Sequence, residues 1–277
     1  MKELLKKVET IVKDGYIRCS KKLSSEVKKL FEEALEKEES DLARAVIEVL
    51  LKNAEIAEKE NLPLCQDTGI PVVWVRIGEK LGIEDLQEVI NRGLELACRE
   101  GKLRASVCDP VSRKNTGTNT PAVIHYEFVK GESLEIWIMP KGCGSENMSA
   151  LKMLPPSAGL EGIKNFVLET VQKAGPNPCP PVFVGIGIGG DFEKCALLAK
   201  KALFRRPGER NPDPVLSQLE KELLIEINAL GIGPLGFGGK TTCLEVFIEK
   251  APCHIASLPV AVNLQCHCAR TFYAKII

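Results

Sequence analysis

The sequence carries no surplus of charge of either sign, 37 Lys and Arg standing against 37 Asp and Glu. Without a basic surplus it has nothing to hold a phosphate backbone, which argues against a nucleic-acid binder. Apolar runs of membrane-spanning length are also missing. The opening Met-Lys-Glu-Leu-Leu-Lys-Lys-Val-Glu-Thr breaks its apolar residues with charge every few positions. It reads as neither a secretion signal nor a membrane span, so the expected location is the cytoplasm. No internal repeat, low-complexity linker or firm domain boundary is present, and residues 1–277 are expected to form one domain.

What is there suffices for a sizeable core, since 44% of the residues are hydrophobic. Residues 1–60 read as a helical layer. Leu4, Leu5, Val8, Ile11 and Val12 form one apolar stripe, and Val27, Leu30, Phe31, Ala34 and Leu35 a second after Ser24 and Ser25. A third starts at Ser40 or Asp41. Beyond residue 60, strands are expected at 72–77, 122–128, 134–139, 182–188 and 243–250 and in the stretch to Ile277. The runs 122–128 and 134–139, joined by Val129–Ser133, suggest a hairpin. Helices are expected at 86–97, 160–174, 191–202 and 215–230. The mixture indicates an α+β, or mixed α/β, fold: a mixed sheet domain behind the N-terminal helices.

Eleven cysteines require an explanation. The count is odd and no secretion signal precedes them, so a disulfide framework is not expected. Cys19, Cys98, Cys195 and Cys243 sit in helical or strand-like patterns and read as small core residues. The others stand in loops beside glycine, proline and polar groups.

Those loops hold the candidates for chemistry. Leu64-Cys-Gln-Asp-Thr-Gly69 sets a thiol, an amide, a carboxylate and a hydroxyl side by side; it is either a helix-to-strand turn or a metal ligand beside a proton-handling Asp67. Arg104 precedes the polar loop Lys114–Pro121 and could grip a carboxylate with its planar fork. Pro140-Lys-Gly-Cys-Gly-Ser-Glu-Asn-Met148 could cradle an anion on its backbone amides but lacks P-loop spacing. Gly185, Gly187 and Gly190 match G-x-G-x-x-G between a strand and a helix. The acidic residue that a dinucleotide site needs at a following strand end is missing, which argues against a nicotinamide enzyme. Cys253-His254 and Gln265-Cys-His-Cys268 could hold zinc, though not at the usual structural spacings. They could equally supply a cluster ligand and a catalytic histidine.

Taken together, these loops resemble the class I fumarate hydratases and the related two-subunit tartrate dehydratases, from about Pro63 to Lys275. The matching stretches run in order: LCQDTG, the Arg104 segment, KNTGTNTPA, PKGCGSENM, PCPPVFVGIGIGG, ELLIEINALGIGPLGFGGKTT and the segment from His254 to Cys266. The resemblance implies a [4Fe–4S] cluster held by Cys65, Cys179 and Cys266, with one iron left open as a Lewis acid toward substrate. It also implies acid–base roles for Asp67 and His254, and substrate contacts at Gln66, Arg104, Gly142 and Gly144. Cys143 and Cys268 depart from the family pattern and are read as bystanders. The expected activity is reversible hydration of a small dicarboxylate, fumarate first and L(+)-tartrate as the alternative. Only Arg104 is available here as a carboxylate clamp, and no base for the carbon proton stands out. A second, β-type chain is therefore expected to complete the site, in an α2β2 assembly. Readings of another class are an electron-transfer iron–sulfur protein, with Cys143 or Cys268 as fourth ligand, a zinc-binding structural protein, and a non-catalytic partner-binding chain.

Overall fold

The computed structural model describes residues 1–277, in the order α1 (Lys2–Lys21), α2 (Ser25–Lys37), α3 (Asp41–Lys59), β1 (Ile70–Gly78), α4 (Leu86–Gly101), β2 (Val123–Val129), β3 (Leu134–Lys141) and α5 (Cys143–Glu146). Then follow β4 (Ala150–Leu154), α6 (Gly159–Ala174), β5 (Val182–Gly189), α7 (Phe192–Ala202), α8 (Pro214–Asn228), β6 (Cys243–Ala251), β7 (Leu258–Gln265) and β8 (Phe272–Lys275). The fold is mixed α+β with two four-stranded mixed sheets. Each sheet lies in its own compact unit: Met1–Ser24, Ala54–Cys143 and Arg270–Ile277 in the first, Ser25–Asn53 and Gly144–Ala269 in the second.

In the first unit the strand order is β2-β1-β3-β8. β1 (Ile-Pro-Val-Val-Trp-Val-Arg-Ile-Gly) is buried along most of its length, as a central strand is. One face of the sheet carries Val73, Val75, Ile136 and Ile138 onto Val8, Val12 and Tyr16 of α1 and Val89, Ile90 and Leu94 of α4. These helices bury the apolar stripes that their spacing announces.

The expected hairpin of β2 and β3 is not formed. β1 lies between them, parallel to β2 and antiparallel to β3. Their connection instead bonds the end of β1, Gly78 N–H donating to the Ser133 carbonyl at 2.7 Å and Glu79 N–H to that of Val129 at 2.9 Å. Alternation of apolar residues identifies a strand but not its neighbour, and the more apolar β1 takes the sheet centre. α1 packs on α4, β3 and β8, whereas α2 belongs to the second unit.

The second sheet runs β4-β7-β5-β6. On one face Val182, Val184 and Ile186 pack against Val167 and Val171 of α6 and Leu219 and Leu223 of α8. α7 covers the other face, entered through Asp191, whose carboxylate accepts the Lys194 N–H at 2.7 Å. Here the G-x-G-x-x-G signal finds its use. A Cβ on Gly187 would stand 1.9 Å from the Cys195 carbonyl oxygen, and one on Gly185 2.3 Å from that of Ala199. These glycines let α7 seat on β5, and the motif is a packing device. Strand β4 has no counterpart in the sequence reading, because Ala-Leu-Lys-Met-Leu contains no β-branched residue.

Candidate active site

In the first unit, Cys65, Gln66 and Asp67 lie on a turn fixed at both ends. Leu64 N–H donates to the Ser20 carbonyl at 2.9 Å. Thr68, 2% exposed, donates its hydroxyl to the Arg104 carbonyl at 2.5 Å. Buried Tyr16 shares its hydroxyl proton between the carbonyls of Thr68 and Gly69, at 3.2 and 3.3 Å. Asn119, fully buried, donates to the Tyr16 oxygen at 3.1 Å and the Gly69 carbonyl at 3.0 Å. Its own side-chain oxygen accepts the N–H groups of Ser106 and Val107 at 2.7 and 3.2 Å. One amide thus locks the Cys65–Gly69 turn to the segment that carries Arg104.

Asp67 is the centre of this arrangement. One carboxylate oxygen accepts the Gly69 N–H at 3.0 Å and Arg104 Nη2 at 3.4 Å. The other accepts the Cys143 N–H at 2.9 Å, and Arg270 Nη1 donates to the Asp67 main-chain carbonyl at 2.8 Å. Gly142 allows this closeness, because a Cβ there would stand 3.3 Å from Asp67 Oδ2 and 3.4 Å from Arg270 Nη2. The Arg104 side chain is 60% exposed, so one edge of its guanidinium rests on Asp67 and the rest faces outward. Cys65 is half-buried, its sulfur 3.8 Å from Gln66 Oε1, and Gln66 is exposed.

In the second unit, Cys179 is exposed and has φ +56, left-handed backbone in the loop ahead of β5. Its carbonyl oxygen accepts the His267 N–H at 3.3 Å and lies 3.1 Å from His267 Nδ1. His267 immediately follows Cys266, so this one residue ties the two cysteine-bearing loops together. A Cβ on Gly144 would stand 3.4 Å from the Asn177 carbonyl oxygen, in the Cys179 loop. His254 is exposed between β6 and β7, and its Nδ1 accepts the Ala256 N–H at 3.1 Å. In the neutral ring that bond sets the proton on Nε2.

The eleven cysteines are all thiols and sort by burial. Cys19, Cys98, Cys195 and Cys243 are buried, as their patterns suggest. Burial pushes the Cys19 thiol up to about 12 and the Cys98 thiol up to about 11, and raises Cys195 and Cys243 as well. A thiol held protonated in this way is a poor ligand and nucleophile. Cys268 is 3% exposed, whereas Cys143 is exposed at the start of α5.

The structure thus gathers Asp67, Arg104, Gly142 and the Cys143 N–H in one unit, and Cys179 with Cys266 in the other. No three His, Cys, Asp or Glu side chains are grouped as ligands of a single metal ion. Three anchoring residues escape the sequence reading. Tyr16 looks like one more member of the α1 stripe, Asn119 like turn chemistry, and Arg270 follows Cys268 with no pattern to mark it.

A family model described as fumarate hydratase (Fumerase) matches residues 9–275. A protein of Methanocaldococcus jannaschii, provisionally named L(+)-tartrate dehydratase subunit alpha, is 45% identical over 278 residues, covering 98% of each chain. The L(+)-tartrate dehydratase subunit alpha of Escherichia coli strain K12 is 32% identical over 269 residues, covering 95% of this chain and 89% of its own. Likenesses that run end to end define an alpha-subunit-type chain of the hydro-lyase class. The chain belongs to the class I fumarate hydratase family.

Proposed function

We propose that this chain is the alpha subunit of a two-chain hydro-lyase that removes water from a small hydroxy-dicarboxylic acid, L(+)-tartrate ahead of malate. The observation that carries this reading is the end-to-end likeness to L(+)-tartrate dehydratase alpha subunits, at 45% identity for one of them. It reverses the order of substrates that the motifs alone suggest.

Arg104 supplies the carboxylate clamp, its guanidinium oriented by Asp67 and open on its outer side. Asp67 keeps one carboxylate oxygen on the Cys143 N–H and the other on Gly69 and Arg104, which fixes its carboxylate beside the clamp as the proton-transfer group. His254 offers an Nε2–H for donation, with the ring orientation fixed by Ala256. Gln66 and the backbone at Gly142 and Gly144 provide neutral polar contacts to the substrate.

A [4Fe–4S] cluster would be held by Cys65, Cys179 and Cys266, and when bound it would supply a Lewis acid at its open iron. Two features support these three thiols. The four core thiols are held protonated by burial. The Cys179 and Cys266 loops are bonded through His267. A second, beta-type chain would supply the base for the carbon proton and further cations for the second carboxylate, in an α2β2 assembly.

The test is anaerobic reconstitution of the chain with iron and sulfide, with and without the second chain, against L(+)-tartrate, its stereoisomers, malate and fumarate. Turnover of L(+)-tartrate well above malate, only with both chains present, is the expected result. Preference for malate and fumarate would restore the alternative, and full turnover by this chain alone would remove the need for a partner.

A further inference from the structure

β2 is an outer strand of the first sheet, with β1 as its only partner. Natural edge strands are commonly protected by lysine, proline or a bulge. Val123-Ile-His-Tyr-Glu-Phe-Val129 contains neither lysine nor proline and pairs with β1 in unbroken register. Phe128 is 74% exposed, Val123 44% and Tyr126 39%.

The orientation of the open backbone groups follows from one bond. Glu79 N–H donates to the Val129 carbonyl, so Val129 turns its backbone toward β1. In a parallel pair, alternate residues direct their N–H and C=O to the same side. Val123, His125 and Glu127 therefore face β1, while Ile124, Tyr126 and Phe128 present theirs at the edge. The side chains of the latter three lie on the α4 face. There Tyr126 and Phe128, with Ile77, Ile83 and Leu86, line an open recess of about 430 Å³.

The strand is also close to a palindrome in chemistry. Placed antiparallel to a copy of itself about Tyr126, it sets Tyr126 against Tyr126, Ile124 against Phe128, His125 against Glu127 and Val123 against Val129. The outward-facing residues become the hydrogen-bonded pairs, and His125 and Glu127 fall in the closer, non-bonded pairs on the opposite face. We propose that two copies of this chain pair through β2 about a two-fold axis, joining their first sheets into one. The self-matching register selects a second copy over an unrelated strand. This interface depends neither on the substrate nor on the cluster.

Sedimentation equilibrium of the full chain should return twice its 30.3 kDa mass. Tyr126→Lys, which sets like charges against each other on the axis, should weaken the pairing at least about tenfold, as should Phe128→Lys at a position already exposed in one copy. Hydrogen exchange gives a second reading that a misfolded variant could not imitate. The amides of Ile124, Tyr126 and Phe128 should be protected in the wild type and exchange freely in both variants, while those of His125 and Glu127 stay protected by β1. A wild type of single-chain mass would overturn the proposal, and so would pairing that survives both substitutions. Protection of the three edge amides only after the second, beta-type chain is added would assign the strand to that partner instead.

Discussion

The carboxylate of Asp67 accepts the backbone N–H of Cys143 at 2.9 Å, a bond between residues 76 positions apart. It joins the turn after α3 to the glycine-rich loop after β3, two of the stretches that carry the family likeness. Asp67 is thus both a proposed proton-transfer group and the tie between those loops.

The two roles separate under substitution. Asp67→Asn keeps an oxygen for the Cys143 N–H but loses the charge, and turnover should fall about 10²–10⁴-fold, the usual worth of a general acid–base group. Asp67→Ala also removes the tie, and should lower unfolding stability by about 1–3 kcal/mol. Turnover in the reconstituted two-chain enzyme and urea unfolding of this chain check the pair. Full activity in Asp67→Asn would refute the catalytic role.

Tyr16 and Asn119 form the buried support of the same turn. Tyr16→Phe should cost about 1–3 kcal/mol, because it leaves buried carbonyls and the Asn119 amide short of a partner. Asn119→Ala should cost more, since it strands the Ser106 and Val107 N–H groups and opens a cavity. Thermal unfolding measures both, and equal or opposite ordering would contradict the assigned network.

Substitution of the proposed ligands should be visible without any assay of turnover. Cys65→Ser, Cys179→Ser and Cys266→Ser should each lower bound iron and inorganic sulfide after reconstitution, while Cys268→Ser and Cys143→Ser keep them. Retention of iron in all three of the first group would refute the ligand set. Removal of iron by chelation should abolish turnover and leave the far-ultraviolet dichroism of the chain in place.

Alkaline pH should destabilise the chain through its core thiols. Burial raises Cys19 from 9.0 to about 12 and Cys98 from 9.0 to about 11. The folded state then holds these protons where the unfolded chain has released them. The associated stability is complete below about pH 9 and is lost as pH rises through the folded values. Urea midpoints should therefore fall above about pH 9, and Cys19→Ala should flatten that fall while lowering stability near neutrality. A flat profile in the wild type would show that the thiols ionise normally.

Much of this was legible in the sequence, for local reasons. Asp191 and Asp213 cap α7 and α8 through their own side chains, a relation confined to four residues. The stripes of α1 and α4 and the apolar run of β1 specify type and buried face in the same local way. Partners are another matter. Nothing in β2 or β3 tells that β1 intervenes, and nothing in Tyr16 separates a hydroxyl that holds a loop from a ring that fills a core. The two units are hidden for a similar reason. The chain passes between them four times, at Ser24 and Ser25, inside α3 at Asn53 and Ala54, in the glycine-rich loop at Cys143 and Gly144, and at Ala269 and Arg270, with no long linker to mark a crossing.

The last strand gives that interleaving a consequence in time. β8 supplies one edge of the first sheet, Ile276 fills the core beneath α1, and Lys7 Nζ donates to the Ile276 carbonyl at 3.0 Å across 269 positions. On the ribosome, α1 and β1–β3 emerge well before β8, so their sheet stays one strand short until the chain has passed through the second unit. The intervening second unit, whose sheet needs nothing beyond β7, is free to settle first. All four strands of the second sheet are therefore available for pairing before the first sheet can be completed. The β3 edge of the first sheet stays open until β8 is made, and an unpaired edge of that kind is what a nascent chain most needs shielded by chaperones.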